Sequence, residues 1–198
     1  MIRMADNNDF RDQAVLFRQK SMAMGTLLGV YYIAKFCLFP LSLQSGVAGM
    51  AFIVLTLLVP FVAWRLVKRF QMEKVPEGMP FLTSWTFALR VFFFASLLVA
   101  VAHYIYFAFI DGGMVAQAFS DNVAVLRETS VEGVTDQLAW QTQLDTIEKT
   151  FEAVAAMTPI QLVMELLVNN LFWGSIAAIF IALFTKRPNR SGTEPSQS

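Results

Sequence analysis

Cysteine, histidine and any surplus of one charge are what this 198-residue chain has least of: Cys37 is the only cysteine, His103 the only histidine, and 15 basic residues balance 15 acidic ones. A single cysteine excludes an intrachain disulfide and a thiolate metal cluster, and Cys37 lies in an apolar run that makes it packing material. A lone histidine, without a His-x-x-x-His spacing or a carboxylate cluster, does not build a metal site. The balanced charge leaves no basic excess for nucleic acid. Also missing are a Gly-x-Ser-x-Gly elbow, a phosphate-cradling glycine loop and a zinc signature, so no catalytic residue, metal or cofactor is expected and the chain is read as not an enzyme. No internal repeat suggests the paired halves of a transporter.

What is abundant is apolar: 56% of residues are hydrophobic and 14% aromatic, against roughly 45–50% apolar in average soluble domains. Crossing a hydrocarbon core takes about 20 such residues in a helix, and four segments qualify, at 22–43, 47–67, 85–110 and 160–184. SLQSG between the first two is a tight turn. About 20 residues of mixed charge precede the first apolar run, unlike a cleavable signal, so the first span is expected to be retained. The expected fold is all-α and polytopic: four transmembrane helices, with an extracytoplasmic amphipathic helical hairpin between spans three and four.

Basic residues set the threading, because short cytoplasmic loops keep their lysines and arginines during insertion. Arg3, Arg11, Arg18 and Lys20 precede span one, Arg65, Lys68, Arg69 and Lys74 join spans two and three, and Lys186, Arg187 and Arg190 follow span four. The segment 111–158 instead holds eight carboxylates against Arg127 and Lys149, a net charge of −6. Both termini are therefore expected in the cytoplasm of a bacterial inner membrane, with the acidic segment outside. The organisation reads as an amphipathic N-terminal segment 1–21, spans one to three over 22–110 with a cytoplasmic loop 68–84, a hairpin 111–158, span four over 159–185, and a disordered polar tail 186–198.

Within the acidic segment Trp140, Leu144, Ile147, Phe151 and Val154 recur at helical spacing, and Val115, Phe119, Val123 and Leu126 make a shorter stripe. SVEGV, with Gly133, supplies the break between them. Two readings compete for the longer stripe: the apolar faces close on each other and on the spans, or they dock a partner. The first is the commoner fate of such stripes, yet the length of the connection makes this face the candidate partner surface.

Polar residues inside the spans are the second candidate site. From the rise of about 1.5 Å per residue, Lys35 lies roughly 9 Å, Glu165 roughly 8 Å and His103 roughly 10 Å below the outer surface. Asn169 follows Glu165 by one turn on the same face. Either Lys35 and Glu165 snorkel independently toward the headgroups, or they pair, with His103 and Asn169 satisfying what remains. Arg90 is within reach of headgroups and is read as snorkelling. Gly25 with Gly29, and Asn170 with Gly174 and Ala178, form small-residue rows that permit close helix approach, internal packing being preferred over dimerisation. Pro60 should kink span two, and Trp85 and Trp173 fit interface or packing roles.

Three stretches, MGTLLGVYYIAKF, FFFASLLVAVAHYIYFAFID and WGSIAAIFIALFTKRP, occur in an order and spacing that resemble the Domain of Unknown Function 4199 family, small four-span inner-membrane proteins found chiefly in Bacteroidota. The resemblance covers nearly the whole chain and brings no catalytic motif, since the family has no established activity. It implies an accessory role, with a polyprenyl-phosphate glycosyltransferase as the kind of protein partner and membrane lipids as the surroundings. The expected function is a non-enzymatic accessory, anchoring or scaffold subunit. The alternative is a small transporter, channel or lipid-binding protein using the polar cluster Lys35, His103, Glu165 and Asn169. The sequence leaves the oligomeric state open.

Overall fold

The apolar runs form helices, as their length and composition require. The computed structural model describes residues 3–75, 79–129 and 137–185. In chain order its helices are α1 (Arg3–Cys37), α2 (Phe39–Ser42), α3 (Gly46–Lys74), α4 (Phe81–Phe109), α5 (Met114–Thr129), α6 (Gln137–Ala155) and α7 (Pro159–Thr185). Among the described residues there is no β-strand. Four stretches are long and apolar enough to cross a membrane: Ala14–Ser42, Gly46–Lys74, Phe81–Phe109 and Pro159–Thr185. The tail 186–198 expected to be disordered, the SVEGV break and the basic residues after span four lie outside the described residues.

Several helix boundaries have a local cause. Pro40 has no N–H to give the Phe36 carbonyl, so α1 ends at Cys37 and restarts at once as α2, with Ser42 N–H donating to the Leu38 carbonyl at 2.8 Å. The segment before span one is a continuation of α1 and has no boundary of its own. After α4 the chain turns at Gly112 and Gly113, with φ of 53° and 88°, a conformation that side-chain-bearing residues avoid. Asp111 then caps α5, its carboxylate accepting from Gly113 N–H at 3.1 Å and Val115 N–H at 3.0 Å. At the start of α7, Thr158 and Gln161 form a capping box around Pro159: the Gln161 side chain accepts from Thr158 N–H at 2.9 Å. Helix α3 runs through Pro60 without a break.

Two compact units divide the chain: Met1–Leu28 with Leu58–Ala95 and Leu171–Ser198, and Gly29–Leu57 with Ser96–Asn170. Each takes one part of all four spanning stretches, and the second also holds α5 and α6. In the first unit Phe70 and Phe87 stack with centroids 4.4 Å apart, and Phe17 sets its edge against both at 5.3 and 5.7 Å. Close approach comes from glycine: Gly25 of α1 lies against Val91, Phe94 and Ala95 of α4, and Gly174 of α7 lies against Phe92. The buried Ser84 and Thr185 hydroxyls hydrogen-bond to each other, and Thr185 Oγ1 also donates to the Ile181 carbonyl at 2.8 Å. In lipid, where apolar side chains gain nothing by leaving the solvent, contacts of this kind are what hold helices together. The large apolar residues accordingly also face outward, as with Val47, Met50, Leu57 and Phe61 of α3.

In the second unit the Tyr31 hydroxyl donates to the Leu55 carbonyl at 2.7 Å, tying α1 to α3. The Asn122 amide donates to the Leu43 carbonyl at 3.1 Å, tying α5 to the turn before α3. Helices α5 and α6 pack against each other.

Candidate functional site

The run that contains Lys35 places it two residues before the end of α1. The side chain is half-buried, with its ammonium 5.4 Å from the centre of the Tyr32 ring and 5.3 Å from that of Phe52. Two aromatic faces thus offer the cation partial compensation by attraction to their ring quadrupoles. Phe36, the next residue along α1, meets His103 of α4 edge-on at 4.2 Å and Tyr106 at 5.2 Å. His103 is buried, and its described contacts are aromatic rather than the hydrogen bond expected of a packing histidine.

Glu165 and Asn169 stand differently. Both side chains are exposed on α7, beside the exposed Met164 and Val168. No ion pair joins Lys35 to Glu165, and among the described residues neither Glu165 nor Asn169 has a hydrogen-bond partner. All four polar residues belong to one unit, but the intrachain ion pair is not formed. Lys35 and His103 turn toward aromatic neighbours, Glu165 and Asn169 away from the chain. Arg90 is exposed, as snorkelling requires.

The apolar stripe of α6 is largely consumed by α5. Leu144 is buried at 1% exposure, Phe151 stacks on Phe119, and Trp140 and Val154 are half-buried, whereas Ile147 is 43% exposed. From α5, Val123 is buried and Val115 half-buried, while Leu126 stays exposed. At the other end of the pair Arg127 bridges Asp145, at 2.7 Å, and Glu148. The Asp145 hydrogen bond holds the guanidinium pKa above its ordinary value against an opposing cost of burial, with the Glu148 charge and hydrogen bond adding to it. Sequence reasoning found both stripes but missed Arg127 as the link, although it is the only basic residue of α5. The closed stripe leaves the polar side outward, with Asp121, Glu128, Lys149 and Glu152 exposed.

Four helices long and apolar enough to cross a bilayer, with large apolar residues exposed along them, are compatible with a multi-pass helical membrane protein. Over residues 23–187 the sequence matches the family described as protein of unknown function DUF4199, and the chain belongs to that family. No curated protein and no solved structure matches it.

Proposed function

We propose that this chain is a non-enzymatic accessory subunit of the bacterial inner membrane, with both termini cytoplasmic and the α5 and α6 pair displayed outside as an acidic docking platform. The observation that carries this reading is that α5 and α6 close their apolar faces on each other, through Phe119 and Phe151, and are bridged by Arg127. A preformed element with its apolar stripe satisfied and carboxylates on its outer side suits recognition of a basic surface, where charge complementarity speeds encounter and sets specificity. Supporting the orientation, Arg18, Lys20, Arg65, Lys68, Arg69 and Lys74 belong to one unit, and the acidic helices belong to the other.

The partner surface moves with this reading, from the apolar row Trp140 to Val154 to the acidic residues Glu128 and Glu152. The family resemblance suggests a polyprenyl-phosphate glycosyltransferase as the partner. Purification of the full chain in mild detergent tests it. A stoichiometric partner should be retained by the natural protein and lost from Glu128→Lys with Glu152→Lys, while the chain itself still elutes as a folded species. A chain that purifies alone and carries a solute flux in liposomes would replace this reading with that of a small transporter or channel.

A further inference from the structure

The bilayer face of α7 carries a polar row that its own chain leaves largely unsatisfied. Gln161, Glu165 and Asn169 follow one another at every fourth residue, and all three are exposed. Gln161 is engaged in the helix cap, but no described residue pairs with Glu165 or Asn169. In water such a row would need no explanation. In a span it faces lipid, where a carboxylate and an amide require partners from another helix. Snorkelling does not resolve the row, because Asn169 lies one turn deeper than Glu165, about 15 Å along the helix from Pro159, and its side chain is far shorter than that.

The same unit holds a charge of the opposite sign that also lacks an ionic partner. Lys35 lies about 10 Å along the chain from Ser42, at the end of the first spanning stretch. Its ammonium has two aromatic rings and no carboxylate partner among the described residues. The two charges thus lie at similar distances from the ends of their spanning stretches without meeting inside the chain. A two-fold axis along the membrane normal preserves depth, and an isologous interface makes every contact twice.

We propose that the exposed face of α7 docks a second copy of this chain, with Glu165 of each subunit paired to Lys35 of the partner subunit and Asn169 one turn deeper adding an amide hydrogen bond. The inference goes beyond the accessory role and does not rest on it.

Charge reversal tests the pairing directly, because Lys35→Glu puts two acids at the interface of each copy and Glu165→Lys puts two bases there. Full-length protein is labelled in two colours and reconstituted in phosphatidylcholine liposomes, and subunits are counted by photobleaching. The natural chain should be dimeric, each reversal variant alone should lose at least about tenfold in dimerisation, and the two variants mixed should form heterodimers. Heterodimer recovery shows that both variants are folded. If either reversal fails to insert, Lys35→Met and Glu165→Gln, checked for native helical content, should each weaken the dimer. Several results would overturn the proposal: a monomeric natural chain, with or without added phosphatidylglycerol; a dimer indifferent to all four variants; association only with a different protein; or a double reversal within one chain that restores stability while the mixture forms no heterodimer.

Discussion

Adding a single methyl group to Gly25 tests the central packing of the spanning helices. A Cβ built there would lie 2.5 Å from Phe94 Cβ and 2.9 Å from the Val91 carbonyl oxygen, whereas carbon atoms in contact rest about 3.5–4.0 Å apart. Both neighbours are anchored to the α4 backbone, so no side-chain rotation relieves the clash and α1 must retreat from α4 by about 1 Å. Overpacking of this kind costs about 1–3 kcal/mol, and at about 1.4 kcal/mol per tenfold this is a shift of about 5- to 150-fold in the unfolding equilibrium. Reversible unfolding of Gly25→Ala in mixed micelles, followed by far-UV circular dichroism, reads the shift. Gly49→Ala is the control, since its nearest neighbour would be the Ser42 carbonyl oxygen at 3.6 Å, an ordinary contact, and alanine favours the helix. Equal stability of the two variants would refute the close approach of α1 and α4.

Gly174→Ala should fall in the same direction, because its methyl would lie 2.9 Å from Phe92 Cβ and Phe92 is itself buried; thermal scanning in detergent checks it. Leu144→Ala should destabilise the α5 and α6 pair by about 2–5 kcal/mol, as removal of a fully buried leucine does, read as accelerated proteolysis between residues 111 and 158; unchanged protease resistance would mean that Leu144 is not enclosed. In a Cys37→Ser background, single cysteines at Lys74 and Glu128 should be labelled from opposite sides of the membrane, and labelling of both by an impermeant reagent from outside would reject the proposed threading. Arg127→Gln should loosen the pair only slightly and the effect should shrink with added salt, since the bridge is exposed to solvent.

The spans, their number and the two amphipathic helices were legible because each rests on a local signal: about 20 apolar residues, or an apolar residue every third or fourth position. Helix α1 departed from its expected start because charged residues such as Arg11, Arg18 and Lys20 are good helix formers, and nothing between them and the apolar run breaks the helix. The break that does occur, at Leu38, follows from Pro40, a signal present in the sequence that the expected span 22–43 ran past.

Rotation of a span about its own axis was not legible from depth alone. Depth placed Lys35 and Glu165 at one level, and opposite charges at one level invited a pair within the chain. Rotation decides whether they meet, and on α7 it leaves Glu165 exposed, while Lys35 of α1 is half-buried against Tyr32 and Phe52. Successive residues of an α-helix advance by about 100°. The same count puts Asn169 within about 40° of Glu165 and keeps both on the lipid side. A carboxylate and an amide one turn apart on an exposed face of a span thus share one environment, and neither finds a partner among the described residues.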